Sequence, residues 1–327
     1  MDSPKKILSI IIPTYNRPQG LVKVLNSIKA QNVVLDDVEI IVVNNYMDAA
    51  KETGDIIEMF SAGGFPVRLF DQPLVGGSQA RNLGISQSRG RWLAFIDDDE
   101  ELIDGYLHEV LHILNQAEEN WIVGGPYIPR FDCEQPSWVK EQYYSVSFGG
   151  EAKDLQGNEY LPGGNMIITK SMLEKIGGFL TRLGHFGNKP GYGEDTELMI
   201  RAVNAGGIQK YVPEMAVYHH IPASRLSLNW LIKQKRLSSL SKAYLYYLYQ
   251  SSCPKGAKRS LLFFYYLRQS VYSFGKYVFS ILGEPLRDRK SFPYRENYWI
   301  ERVSPFFAKY QINLELAKLV FRRSDYA

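Results

Sequence analysis

The sequence predicts an α/β protein: a mostly parallel sheet flanked by helices, followed by a helical C-terminal extension. Three observations carry that expectation. Short apolar runs such as Leu8–Pro13, Val38–Val43 and Trp92–Ile96 have the length and the β-branched or aromatic content of buried strands. These runs alternate with segments of helical periodicity, the pattern of a sheet covered on both faces. After Arg225 the alternation stops and long helical segments take over.

In order, Leu8–Pro13 is the first strand, and Leu21, Val24, Leu25 and Ile28 mark one face of a helix running to about Gln31. Val38–Val43 is a second strand ending at Asn44-Asn45, a helix covers Ala50–Phe60, and Val67–Phe70 is a third strand. Gly76-Gly77-Ser78 opens a helix through Arg89, with Ser78 as the expected N-cap. Next come the strand Trp92–Ile96, a helix faced by Leu107, Val110, Leu111 and Leu114, and a strand at Trp121–Gly124. Pro126–Pro162, rich in aromatic, Gly and Pro residues, is expected to be irregular, as in a substrate-binding loop. Met166–Thr169 is a short strand, and Ser171-x-x-Glu174 has capping-box spacing ahead of a helix ended by Gly177-Gly178. A glycine-rich, mobile stretch is expected over Gly184–Gly193, then a helix over Glu194–Ala205 and a late strand at Ala216–His219. Leu228–Tyr249 and Ser260–Leu282 are the long C-terminal helices. Domains are therefore expected at 1–225 and 226–327.

The 327 residues carry a net charge of +3 that hides an asymmetry. Residues 226–327 hold 18 Lys+Arg against 6 Asp+Glu, a net of +12, and 12 of the 22 tyrosines. Residues 1–225 carry 20 against 29, a net of −9. A basic, aromatic end on an acidic body suits an anionic surface, either membrane or nucleic acid. The segment 260–282 is long enough to span a bilayer, but Arg268, Gln269 and Lys276 interrupt it. A charge in mid-membrane costs roughly 2.5–3.5 kcal/mol on insertion scales. The expectation is a helix lying on the membrane or packed on the first domain. Cys133 and Cys253 match no metal spacing, which fits a reducing compartment. The apolar run after Lys5-Lys6 is too short for a secretory signal and is read as a first strand, in a cytoplasmic protein.

Five adjacent acids, Asp97 to Glu101, follow the apolar run Trp92–Ile96 and so sit at a strand's carboxyl end, where open α/β sheets bind ligands. Such a cluster repels itself unless a cation lies within it. Asp97 and Asp99, as D-x-D, suit Mg²⁺ or Mn²⁺ with open positions for water and a diphosphate. A solvated acidic turn is the plainer alternative. Pro13-Thr14-Tyr15-Asn16-Arg17 ends the first strand, where Tyr15 could stack on a base and Arg17 pair with phosphate. Gly77 and Arg81 open a helix suited to an anion. Glu194-Asp195 could supply a general base, although acids at a helix start also simply complement the dipole. His219, on the same strand side as Val217, could complete a metal shell.

Taken together, IIPTYNRP, VGGSQARNLG, FIDDDE, LPGGNMII, GGF followed by GEDTEL, and VYHH resemble the inverting, GT-A-fold glycosyltransferases of family 2 over about Ile7–Pro222. The resemblance implies a nucleoside-diphosphate sugar as donor and a divalent metal, Mn²⁺ or Mg²⁺, bridging its diphosphate. It assigns Asp195 as the base, with Glu194 beside it, and Asp99 and His219 as metal ligands. Pro13, Tyr15, Arg17, Asn44, Gly77, Arg81, Asp97 and Asp98 fall to nucleotide-sugar binding, and Trp138, Gly164 and Asn165 to acceptor or sugar. One departure is VVNNYMD, which places Asn44 where relatives usually carry an aspartate, so the base is open and uridine only favoured. The Q-x-x-R-W motif of processive members is absent, which implies one sugar per encounter.

The leading expectation is thus a metal-dependent, non-processive glycosyltransferase acting on a glycan or lipid-linked polysaccharide precursor at the cytoplasmic membrane face. The alternative on the same fold is a non-catalytic nucleotide- or glycan-binding protein. A nucleic-acid partner is not expected, because no recognisable motif accompanies the charge.

Overall fold

Residues Leu8–Thr14 form strand β1, wholly buried but for its one proline, and the run of Ile and Leu explains why. The computed structural model describes residues 7–184, 191, 193–249 and 259–321. These fall into two compact units, 1–132 with 141–190 and 194–221, and 133–140 with 191–193 and 222–327.

In the first unit, α1 (Pro18–Lys29) follows β1, with Pro18 at the start where its missing N–H costs nothing. Then come β2 (Val38–Asn44), α2 (Ala50–Ala62), β3 (Val67–Asp71), α3 (Gly77–Gln87), β4 (Trp92–Phe95), β5 (Glu100–Leu102) and α4 (Tyr106–Leu114). The chain continues through β6 (Trp121–Gly124), β7 (Tyr127–Phe131), β8 (Lys153–Asp154), β9 (Met166–Thr169), α5 (Lys170–Ile176), α6 (Glu194–Asn204), β10 (Ile208–Tyr211) and β11 (Val217–Ile221). Eight strands make one sheet in the order β3-β2-β1-β4-β9-β6-β10-β8, and β5-β11-β7 make a small second sheet. The large sheet is mostly parallel; β9 runs antiparallel to both β4 and β6.

Alternation along each strand divides the core in two. Ile10, Ile12, Ile40, Val42, Trp92 and Ala94 face the helices α1, α2 and α4. Ile11, Ile41, Val43, Leu93 and Phe95 face the other way, against α3, α5 and α6. Helices therefore cover both faces, as the buried apolar strands require. The parallel strands β1, β2, β3 and β4 bring Thr14, Asn44, Asp71 and Asp97 out at one edge, since β1 pairs Thr14 with Asn44 and β2 pairs Asn44 with Asp71.

Four local expectations need correction. Gly76, not Ser78, is the N-cap of α3; Ser78 lies in the first turn and its hydroxyl donates to Leu183 O at 3.1 Å. The same helix ends at Gln87 rather than Arg89. The capping-box spacing at Ser171 is coincidental, because Thr169 caps α5 and accepts from Met172 N. The stretch 126–162 is not wholly irregular: β7 pairs in parallel with β11, and β8 lengthens the large sheet. Most of the expected glycine-rich segment Gly184–Gly193 lies outside the described residues.

In the second unit α7 (Leu228–Leu248) is capped by the Ser227 hydroxyl, which accepts from Trp230 N. Helix α8 (Arg259–Leu282) follows, then the short α9 (Arg295–Tyr298), which passes through a π-turn at Trp299–Val303 into α10 (Ser304–Phe321). Helix α10 packs on both α7 and α8, and Ala243, Tyr266, Leu316 and Ala317 form their shared core. Helix α10 is not among the helices expected from sequence, because its apolar residues give it little one-sided character.

Candidate active site

Asp97, Asp98 and Asp99 occupy the tight turn between β4 and β5, at the carboxyl end of the sheet. Each takes a different surrounding. Asp98 is buried; its Oδ2 accepts from Thr14 Oγ1 at 2.9 Å and from Tyr15 N at 3.2 Å. Its Oδ1 accepts from Arg17 Nη1 at 2.8 Å, and the same guanidinium reaches Asp99 Oδ2 at 2.9 Å. Burial pushes the Asp98 carboxyl up to about 6, although Arg17 pulls the other way. Asp98 thus ties the end of β1 to the acidic turn. Asn16, between these contacts, sits in the left-handed region at φ 52°, which asparagine tolerates better than most residues.

Asp97 and Asp99 converge with Glu100: one carboxylate oxygen from each lies within 4.8 Å of the others. Glu100 is buried, and its Oε2 accepts from Asp97 N at 2.9 Å. Its Oε1 is buried without a hydrogen-bond partner. The Tyr127 phenol approaches Glu100 as a hydrogen-bonding neighbour and pulls its pKa down, but it makes no hydrogen bond of full geometry to that oxygen. Burial, then Asp97 and Asp99, raise the Glu100 pKa well above the usual carboxylate range. An orphaned carboxylate oxygen costs free energy unless something binds it. Hard oxygen donors with a buried unpaired lone pair fit a hard divalent cation. In the sequence the D-x-D spacing points to Asp97 and Asp99 and the family resemblance to Asp99 and His219, while Glu100 looks like one more acid of the run.

Strand β11 delivers the late histidines to this turn. Its register sets His219 opposite Glu100, and His220 N donates to Asp99 O at 2.8 Å. His219 Nε2 stands 3.7 Å from Asp99 Oδ2, and its ring lies 5.2 Å from that of Tyr127. His220 points away, bonding Asp132 through Nδ1 at 2.6 Å and Glu101 through Nε2.

Arg81 links the acidic turn to the start of α6. The buried guanidinium bonds Asp97 Oδ1 at 2.6 Å and reaches Glu194 Oε1 at 3.5 Å. Burial alone would lower its pKa; Asp97 and Glu194 more than offset that, so it stays charged. Glu194 is pushed up to about 7 by burial and by Asp195, against the pull of Arg81. Asp195 Oδ1 accepts from Thr196 N at 2.7 Å, which orients its carboxylate at the first turn.

Between these acids runs the turn Gly163-Gly164. A Cβ on Gly164 would fall 2.7 Å from both Asp97 Oδ2 and Tyr127 OH, and one on Gly163 would fall 2.7 Å from Asp195 Cβ. Gly164 N donates to Tyr127 OH at 2.8 Å. Asn165, expected at acceptor or sugar, is turned into the core. Its Oδ1 accepts from Tyr106 OH at 2.7 Å, and its Nδ2 donates to Met215 O at 2.7 Å.

At the strand edge, Asn44 is buried, and both ends of its amide are hydrogen-bonded. Its Nδ2 donates to Asp71 Oδ1 at 2.8 Å, and its Oδ1 accepts from Tyr46 N at 3.1 Å. Tyr15 and Tyr46 pair with ring centroids 5.0 Å apart. Asn45, which the sequence reading gave no role, accepts from Gly76 N at 2.7 Å and donates to Gln72 O and Leu74 O, holding the loop ahead of α3. Pro13 lies at the end of β1 opposite Val43, and Gly77 begins α3. Trp138 belongs to the second unit, where its carbonyl accepts from Asn297 Nδ2 at 2.6 Å.

The sequence profile of glycosyl transferase family 2 matches residues 9–177, just over half of the chain. The chain belongs to this family. It is a glycosyltransferase. Over 231 residues it is 28% identical to the succinoglycan biosynthesis protein ExoM of Rhizobium meliloti, covering 70% of this chain and 71% of ExoM. Its fold is similar to S. aureus TarS 1–349 in complex with UDP-GlcNAc, with TM-score 0.53 and 17% identity, covering 72% of this chain and 66% of that one. It is also similar to GalNAc-T7 with UDP, GalNAc and Mn²⁺, with TM-score 0.53 and 16% identity, covering 78% of this chain and 53% of that one. Less than two thirds of the length of each solved chain is therefore matched. The fold these share is GT-A, the architecture expected from the sequence motifs.

Proposed function

We propose that this glycosyltransferase is metal-dependent, inverting and non-processive. It moves one sugar from a nucleoside-diphosphate donor, with UDP favoured, to a hydroxyl of a glycan or lipid-linked polysaccharide precursor. The observation that carries the reading is the orphaned Glu100 oxygen beside Asp97 and Asp99, joined through Arg81 to Glu194 and Asp195.

The residues divide the work. Asp97, Asp99 and Glu100 would hold the divalent cation, with His219 within reach of Asp99. When bound, that cation supplies charge neutralisation for a diphosphate leaving group. Arg17 and Arg81 are pre-paired cations at the same edge and favour an anionic donor. Tyr15 and Tyr46 offer an aromatic surface for the base. Asp98 and Asn165 act as positioning residues, since protein groups occupy their side chains.

Asp195 accepts the proton of the attacking hydroxyl. Its Oδ1 bond to Thr196 N keeps the carboxylate aimed along the helix start. Glu194, with its raised pKa, can carry a proton near neutrality and hold the acceptor by donating it. Direct displacement from the face opposite the leaving group inverts the anomeric centre, and no covalent intermediate on the protein is required. The polysaccharide acceptor is supported by the similarity to ExoM, and action at the cytoplasmic membrane face by the basic second unit.

Thermal stabilisation by UDP, GDP and dTDP, each with and without Mn²⁺, tests the donor site. One nucleotide stabilising the fold only with Mn²⁺ is the expected result. Asp195→Asn should keep that stabilisation and lose transfer; retained transfer would remove Asp195 from its role.

A further inference from the structure

Helix α8 is inside out. Among the described residues Tyr266, Ser270 and Ser273, at helical spacing, are its buried ones, and two of these three are serines. Its large apolar side chains point outward: Phe264 is 63% exposed, Val271 65%, Phe279 78% and Leu282 69%. A helix on a globular protein ordinarily does the reverse, and an apolar surface of this extent marks a binding face.

Charge around that face has one sign. Helix α8 carries Arg259, Arg268 and Lys276 and no acid; through Arg295 the segment holds 7 Lys+Arg against 2 Asp+Glu. Lys276 Nζ lies 4.6 Å from the Tyr272 ring centroid and 5.8 Å from that of Phe306. Beside it opens a cleft of about 410 Å³ lined by Phe279, Phe306 and Tyr298 together with Lys276 and Arg302. Apolar walls with two cations suit an amphiphile with an anionic head. Among the described residues no helix is long and apolar enough to cross a membrane, so α8 would lie on a bilayer rather than through it.

We infer that the outward face of α8 is a membrane-docking surface and that its occupant is an anionic phospholipid bilayer. Phe264, Val271, Phe279 and Leu282 enter the interface while the flanking cations meet lipid phosphates. A second copy of the chain suits the face poorly, because a twofold contact would bring the same cations together. The inference deepens the proposed action at the membrane face and rests on that part of it alone.

The test is vesicle co-sedimentation of the full chain with phosphatidylcholine alone and with phosphatidylcholine containing one third phosphatidylglycerol, at 50 and 300 mM salt. Binding to the anionic vesicles, at least tenfold weaker in the high salt, is expected. Val271→Asp and Phe279→Asp, at exposed positions, should each reduce it at least tenfold without changing the melting temperature. Lys276→Gln should weaken it with less effect on neutral vesicles. No binding to anionic vesicles at 50 mM salt, or undiminished binding by both aspartate variants, would overturn the inference. So would light scattering that shows a dimer dispersed by Val271→Asp. Nucleotide-dependent stabilisation, measured on the same preparations, reads the donor site independently, so the two readings can fail separately.

Discussion

The turn Gly163-Gly164 offers a test of Asp195 that leaves its carboxylate chemically intact. In Gly163→Ala, the added Cβ would lie 2.7 Å from Asp195 Cβ, 3.2 Å from Cγ and 3.0 Å from Oδ2. Carbon atoms in contact sit about 3.5–4.0 Å apart, so the two must separate by about 1 Å. Rotating the Asp195 side chain does not relieve the clash, because Cβ moves only with the backbone. The first turn of α6 must therefore shift, and the carboxylate with it. Gly163 is not in the left-handed region, so alanine adds no backbone strain of its own. Overpacking of this kind costs about 1–3 kcal/mol of stability. A misplacement of about 1 Å at a reacting group can cost about 10²-fold in rate. The expected result is a kcat lowered about 10²-fold, read as nucleoside diphosphate released on transfer. Stabilisation by UDP with Mn²⁺ should persist. Asp195→Asn, which removes the proposed base, should lose about 10²–10⁴-fold. A Gly163→Ala enzyme with undiminished kcat would refute the claim that Asp195 must sit within ångströms of the acceptor hydroxyl.

The remaining expectations concern charge and fold. Glu100→Gln should abolish the Mn²⁺-dependent part of nucleotide stabilisation while leaving the metal-free melting temperature unchanged or higher, because it removes a carboxyl that burial and two neighbouring acids make costly to ionise; undiminished Mn²⁺ response would exclude Glu100 as a ligand. Glu194 has a folded pKa of about 7 against 4.5 unfolded, so the native state binds its proton first. Its contribution to stability is full below about 4.5 and lost as pH rises through 7, so the metal-free protein should melt higher at pH 5.5 than at pH 8. Glu194→Gln should flatten that slope, and an unchanged slope would assign it elsewhere. Arg201 holds the buried Glu197 with bonds of 2.7 and 2.6 Å and also caps Ile176 O and Gly178 O. Arg201→Ala should therefore cost about 3–5 kcal/mol in denaturant unfolding, and a loss below about 1 kcal/mol would contradict the pairing. Asp71→Ala would strand the buried Asn44 amide at a cost of about 1–3 kcal/mol. If Asp71 also reads the base, UDP binding should weaken further than this stability loss explains.

Why the sheet could be read from sequence and parts of the site could not follows from the range of each signal. Burial on both faces writes itself into every residue of LSIIIP and VEIIVV, and the helix faces repeat at fixed spacing, so α/β order survives in a single chain. Caps failed where two candidates stood a few residues apart: Gly76 displaced Ser78, and Thr169 displaced Ser171, because strand geometry upstream decides where each helix begins. Asn45 and Asn165 were opaque for a different reason. Each is defined by backbone groups that lie tens of residues away, as in the bonds from Asn45 to Leu74 and from Asn165 to Met215. The same distance explains Asp98 and Glu100. In the sequence they are neighbours in one acidic run, indistinguishable from Asp97 or Asp99. The turn gives Asp98 to Thr14, Tyr15 and Arg17 and leaves Glu100 Oε1 buried and unsatisfied. Five acids in a row therefore carry two kinds of work: Asp98 braces the edge of the sheet, and Asp97, Asp99 and Glu100 turn carboxylate oxygens toward one another. Stability alone would favour pairing or removing those charges. That Asp97, Asp99 and Glu100 still converge, with Arg81 and Arg17 on the first two and Glu100 Oε1 left without a hydrogen bond, is the strongest physical reason to propose a cation, and the donor's diphosphate, there.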